Sequence, residues 1–166
     1  MNLNSIFSQM GISASVTQDV TLILVLILIS FIFGMFVGRS RLITVLINTY
    51  VSFAILTVIP RTYLTDYNSA ILIFFALLVV LTIFGKKIFE ISISGSGPDF
   101  LWRVFGVSFL EVLLLVSITI SLMPKKAALV YVSKTAYDYL AAPNFQLLWM
   151  IAPILGILFI HKKLNR

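Results

Sequence analysis

Five apolar runs, separated by short stretches of charged and turn-forming residues, constrain this 166-residue chain more than any other feature. The hydrocarbon core of a bilayer is ~30 Å thick, and an α-helix needs about 20 residues to cross it. The runs come close to this length, and they cover residues 20–37, 42–59, 70–84, 100–123 and 145–160. The sequence therefore predicts an all-α fold, a polytopic transmembrane helical bundle with four to five membrane helices and an interfacial amphipathic helix.

Composition and charge agree with this class. Hydrophobic residues make up 60% of the chain and charged residues 11%, whereas an ordinary soluble domain has ~25% charged residues. The net charge of +6 comes from basic residues that lie mostly at the ends of apolar runs, where such residues anchor helices at the membrane interface. We therefore expect the lipid bilayer, and not nucleic acid, as the surroundings of this chain.

The runs divide the chain into four parts. Residues 1–18 form a polar segment without Lys or Arg, so they lack the basic region of a secretory signal, and the first run is expected to be a retained helix. Residues 19–123 are expected to form a four-helix transmembrane core. Residues 124–143 form an amphipathic segment at the interface, and residues 144–166 form the fifth membrane helix and a basic tail.

The basic residues also predict the orientation of the chain. Cytoplasmic loops carry an excess of Lys and Arg. Eight basic residues fall on one predicted side: Arg39, Arg41, Lys86, Lys87, Arg103, Lys162, Lys163 and Arg166. Four fall on the other: Arg61, Lys125, Lys126 and Lys134. This distribution favours an N-terminus outside and a C-terminus inside, with Arg39, Arg41 and Arg103 as interfacial anchors.

Small residues recur in the first predicted helix. Ser30, Gly34 and Gly38 are spaced four apart, so they share one helical face and allow another helix to approach closely. Only residues 38–41 join the first two runs, which predicts an antiparallel helical hairpin. The small face can pack against the second helix of that hairpin, or it can mediate self-association.

Segment 127–141 is too polar for a membrane span because it contains Lys134 and Asp138. Its apolar residues lie on one face of a predicted helix, with these two charges away from it. That face consists of Leu129, Val132, Ala136, Tyr139 and Leu140. We expect an amphipathic helix on the outer interface; the alternative is a docking helix for a partner protein.

Glu111 is the most unusual single residue. It lies eleven positions into the fourth run, which places it ~17 Å deep, near the middle of the bilayer. An acidic residue at that depth costs about 2.5–3.5 kcal/mol on insertion scales, so we expect it to face away from lipid. Ser108, three residues earlier, is within hydrogen-bonding reach. Glu111 either joins helices as a protonated or hydrogen-bonded group or belongs to an ion or proton path.

The second predicted helix carries a polar stripe of its own. Thr44, Asn48 and Ser52 are spaced four apart, and Ser52 lies ~15 Å into its helix, nearly level with Glu111. We therefore predict that the second and fourth helices meet along these polar faces.

Catalytic chemistry finds little support in the sequence. The turn Gly95-Ser96-Gly97 lacks the strand–turn–helix setting of a serine nucleophile, and the only histidine, His161, lies in the basic tail. The chain has no cysteine, and its scattered acidic residues do not form a metal-ligand pattern. We expect no catalytic residue, no metal site and no cofactor, and hence a protein that is not an enzyme.

Short motifs in the first two thirds of the chain resemble the colicin V production protein family of bacterial inner-membrane proteins. An acidic residue opens a first helix that ends in the turn Gly38-x-x-Arg41, and a Gly/Ser-rich loop leads into Asp99-x-x-x-Arg103-x-x-Gly106. The chain differs from the family pattern within the fourth helix, where it has Leu110 and Glu111 in place of a second glycine and an Arg-Gly pair.

The resemblance implies a non-enzymatic component of the bacterial cell envelope that supports toxin production or export. Gly38, Arg41, Arg103 and Gly106 are the residues that it carries over, with Gly106 expected to serve helix packing. The leading interpretation is an accessory or scaffold protein with a membrane protein partner. The alternative is a small homo-oligomeric channel or transporter subunit whose pore is lined by Glu111, Ser108 and the stripe from Thr44 to Ser52.

Overall fold

The computed structural model describes residues 14–38, 41–85 and 98–164, and in these ranges it contains seven α-helices, one short 3-10 turn and no strand. The all-α class is confirmed. The elements are α1 (Ala14–Val37), α2 (Leu42–Val58), the 3-10 turn (Arg61–Tyr63), α3 (Tyr67–Gly85), α4 (Pro98–Leu122), α5 (Lys125–Tyr131), α6 (Lys134–Ala141) and α7 (Pro143–Leu164). Arg39, Lys86, Lys87, the loop at 91–97 and most of the polar N-terminal segment lie outside the described residues.

Three helices are long and apolar enough to cross a membrane by themselves: α1, α3 and α4. Helices α6 and α7 meet at a bend of 59° and together give a fourth candidate span. Helix α2 has 17 residues and is therefore ~25 Å long, somewhat shorter than a bilayer core. The bilayer can become thinner around a helix of this length, and long side chains next to the helix ends can reach the membrane surface. These are the features of an integral membrane protein.

Helix α4 lies at the centre of the bundle. It packs against α1, α2, α3, α6 and α7, and half of its most apolar window is buried inside the protein, against 17% for α1. Its buried apolar side chains point in several directions and belong to all three hydrophobic clusters: Val107, Val112, Leu113, Leu114, Ile118 and Ile120. The other helices are held together mainly through α4.

The small-residue face of α1 packs against α4. A Cβ atom added at Gly34 would lie 2.6 Å from the Ser108 Oγ atom and 3.3 Å from the Ser108 Cβ atom. Ser30 is fully buried, and its hydroxyl donates to the Leu26 carbonyl at 2.6 Å. Helices α1 and α2 are consecutive, but they are not among the closely packed helix pairs. The expected packed hairpin is therefore wrong: the turn directs α2 away from α1, and the small residues serve the central helix instead.

Two predicted packing glycines have other roles. Gly38 has a φ angle of +71°, a left-handed conformation that glycine adopts without steric cost. Its N–H donates to the Gly34 carbonyl and its own carbonyl accepts from Arg41, both at 3.1 Å. Gly38 thus ends α1 and turns the chain into α2. An added Cβ at Gly38 or at Gly106 would meet no described atom within 4 Å, so neither glycine is required for close helix packing.

The segment after α4 forms two short helices instead of the single amphipathic helix expected. Backbone in extended conformation at Val132 and Ser133 separates α5 from α6, and the Ser133 hydroxyl caps α6 by accepting the Ala136 N–H at 3.0 Å. Such a cap favours a new helix start over continuation. Lys134 is exposed, as expected, but so is Tyr139, at 55%. The predicted apolar face therefore does not lie together on one buried side.

Helix α7 continues through Pro153, which is fully buried. Gly156, which the sequence did not single out, faces α4 at close range. A Cβ atom added there would lie 2.7 Å from the Leu110 Cδ1 atom, the end of a flexible side chain.

The contact between Gly34 and Ser108 yields a paired test. We expect Gly34→Ala to lower the free energy of unfolding by about 1–3 kcal/mol, because the new methyl group overpacks the α1–α4 contact. Gly106→Ala is the matched control and is expected to be neutral or to stabilise by up to about 1 kcal/mol through helix propensity. Unfolding in detergent, followed by circular dichroism, measures both. Adding Ser108→Ala to Gly34→Ala should restore part of the loss; equal stability of the two glycine variants would contradict this packing.

Candidate functional site

Glu111 lies wholly inside the bundle, with none of its side chain exposed. Val107 and Ile118 share its face of α4. Val107 clusters with Leu42 of α2, and Ile118 clusters with Phe74 of α3. The carboxyl group therefore faces the region where α2 and α3 meet the central helix, and protein separates it from lipid.

The Glu111 carboxyl group forms no hydrogen bond to any described residue. Both of its oxygen atoms are buried and unpaired. Ser108, the expected partner, donates instead to the Val104 carbonyl at 2.8 Å, a backbone interaction that serine commonly makes in membrane helices. A buried polar group without a partner costs about 1–3 kcal/mol, and a charged group costs more. This arrangement is therefore the costliest polar feature of the described bundle.

The polar stripe of α2 is buried, but its residues do not share one partner. Thr44 and Asn48 are 4% and 5% exposed, and Ser52 is fully buried. The Asn48 amide donates to the Thr82 hydroxyl of α3 at 3.4 Å, and Gly85 leaves room for this amide. Helices α2 and α4 do pack together, but Asn48 binds α3, so the predicted meeting of polar faces between α2 and α4 is wrong for this residue. The Ser52 Oγ atom is buried and unpaired, as the Glu111 carboxyl is.

Tyr50, which was not singled out from the sequence, is a partly buried polar residue that joins α2 to α7. Its hydroxyl donates to the Met150 carbonyl of α7 at 2.5 Å. A tyrosine inside an apolar run is itself a signal, since a buried phenol usually finds a hydrogen-bond partner. Its partner, 100 residues away, could not be read from the sequence.

Further polar contacts join neighbouring elements near the C-terminal end of α4. The Ser117 hydroxyl donates to the Leu140 carbonyl at 2.5 Å, and the Gln146 amide donates to the Ser121 hydroxyl at 2.9 Å. The Ser133 hydroxyl donates to the Asp19 carboxylate of α1. These contacts fix α1, α6 and α7 relative to the end of the central helix.

A groove of about 840 Å³ runs between α1, α4 and α5. Thr17, Gln18 and Tyr131 line its polar end, and Val25 and Ile29 line its apolar part. Of the predicted interfacial arginines, Arg41 is exposed beside the turn after α1, and Arg103 is partly buried near the start of α4. The described residues contain no group of three His, Cys, Asp or Glu side chains able to hold a metal ion.

Comparisons with models of protein families, with curated proteins and with solved structures found no match to this chain. The resemblance to the colicin V production family therefore stays a prediction that rests on its short motifs. The residues around Glu111 are interpreted from their own geometry.

The hydrogen bond from Tyr50 to Met150 can be tested by a conservative change. We expect Tyr50→Phe to lower the free energy of unfolding by about 0.5–1.5 kcal/mol, the usual net contribution of one hydrogen bond. Tyr63→Phe is the control, since Tyr63 is 71% exposed in the turn after α2. Unfolding in the same detergent measures both variants; a Tyr50→Phe variant as stable as the control would show that the phenol does not support α7.

Proposed function

We propose that this chain is an accessory protein of the bacterial inner membrane that binds another membrane protein along α1. The observation that carries the proposal is the one-sided packing of α1. Among the described helices, α1 packs extensively only against α4, through a narrow stripe that contains Leu26, Ser30 and Gly34. The remaining sides of a helix long enough to cross the membrane are left open.

The open face of α1 consists of large apolar side chains. Ile23, Leu24, Val25, Ile27, Leu28, Ile29, Phe31, Ile32, Met35 and Phe36 are all exposed. Helices associate within lipid through close side-chain packing, since no hydrophobic force separates them from the acyl chains. The groove beside α1 makes the surface of this face uneven. A partner helix of complementary shape can pack closely against such a surface.

The expected role, membrane and orientation of the chain follow from its motifs and from the distribution of its basic residues. The resemblance on Gly38, Arg41, Arg103 and Gly106 supports a role in toxin production or export at the inner membrane. The distribution of basic residues supports an N-terminus outside and a C-terminus inside.

A pore formed between copies of the chain is not favoured. That function required Glu111, Ser108, Asn48, Ser52 and Thr44 to face a channel between subunits. Each of them is at most 5% exposed inside a single chain, so they do not lie on a surface that a second copy can contact.

Photo-crosslinking within native membranes tests the proposal. A photoreactive amino acid at Leu24 or Leu28, which point away from α4 and are 60% and 59% exposed, should form one discrete protein adduct. Leu72 of α3, which is 68% exposed, is the matched position and should yield only lipid adducts. Mass spectrometry then identifies the crosslinked protein.

Three results separate the possibilities. A different membrane protein attached at both α1 positions, and not at Leu72, supports the accessory function. An adduct of twice the chain's mass indicates self-association and replaces a heteromeric partner. Lipid adducts alone at all three positions overturn the proposal.

A further inference from the structure

Among the residues that the structure describes, no positive charge lies close enough to Glu111 to neutralise it. Arg103 lies eight residues earlier in α4, ~12 Å away along the helix axis. In the described parts of α2 and α3, the titratable groups are Tyr50 and Tyr67, and Tyr67 opens α3 at the far end of that helix. The described α7 side chains at 143–159 include no charged residue.

The described acidic and basic residues of α1 and α6 do not supply a counter-ion either. In α1 the only acidic residue is Asp19, near its first turns, where it accepts a hydrogen bond from Ser133. Lys134 and Asp138 of α6 are exposed, and Asp138 pairs with Lys125 at 3.8 Å. None of these groups replaces a counter-ion beside the Glu111 carboxyl.

An ionised carboxylate in this position would have neither a hydrogen-bond donor nor a cationic partner among the described residues. The transfer of an isolated charge into such a medium costs tens of kcal/mol by continuum solvation, and side chains avoid it by becoming neutral. A hard metal cation is a poor alternative occupant, because it requires six or more oxygen ligands, and the described neighbours of Glu111 are mostly aliphatic. A proton needs only one carboxyl oxygen.

Tyr50 does not supply a hydrogen bond to the carboxyl group either. Its hydroxyl hydrogen is donated to the Met150 carbonyl, and both Glu111 oxygens are without a hydrogen-bond partner among the described residues. No described donor therefore stabilises an ionised carboxylate at this position.

We propose that Glu111 is a proton-binding site, which holds a proton as a neutral carboxylic acid where α2 and α3 meet the central helix α4. This inference does not depend on the accessory function: a partner bound to α1 would contact another surface.

Infrared spectroscopy of the full chain in lipid vesicles at neutral pH is the deciding experiment. The wild type should show the carbonyl band of a buried protonated carboxylic acid, and Glu111→Gln should abolish that band. Asp138→Asn is the matched control, because Asp138 is exposed and should leave the band unchanged. A wild type without the band at neutral pH, or a band that persists in Glu111→Gln, overturns the proposal.

The wild-type spectrum keeps the proposal falsifiable by itself. If the band of a protonated carboxylic acid is missing from the wild type at neutral pH, the proposal is overturned whether or not Glu111→Gln folds.

Discussion

The absence of a hydrophobic force between helices inside a bilayer is the constraint on which this structure depends. Helices there associate where backbones approach closely or where polar groups meet. Both kinds of contact converge on α4. Gly34 of α1 and Gly156 of α7 face it at close range, and Ser117 and Ser121 join it to α6 and α7. A single helix that packs against α1, α2, α3, α6 and α7 thus organises the bundle.

The sequence determines the helices better than their partners. Helix α2 begins and ends within one residue of the apolar run at 42–59, because run length and the bounding turn residues are local signals. The pairing of α1 with α4 is not local. Apolar faces look alike in lipid, and only the fit of Gly34 onto Ser108, 74 positions later in the chain, selects one partner over another. The break at Ser133 was readable as a helix cap, but the amphipathic pattern across it favoured one continuous helix.

The Glu111 site also has features that local sequence predicts and contacts that it does not. The sequence places Glu111 at membrane depth and predicts that it avoids lipid, since the insertion cost depends only on depth and residue type. It could not reveal that Ser108 turns back to its own helix, or that Asn48 bonds to α3. Hydroxyl and amide groups in a bundle have several competing acceptors, and the choice among them follows from the packing of helices that are distant in sequence.

Burial without a partner determines the chemistry of Glu111. Its two carboxyl oxygens accept no hydrogen bond from any described residue, and no described side chain of α2, α3 or α7 carries a positive charge. Tyr50 of α2 donates its hydroxyl hydrogen to the Met150 carbonyl of α7, so it supplies no donor to the carboxyl group. A carboxyl group in such surroundings is most stable as the neutral acid, because an ionised one would lose its hydration without compensation.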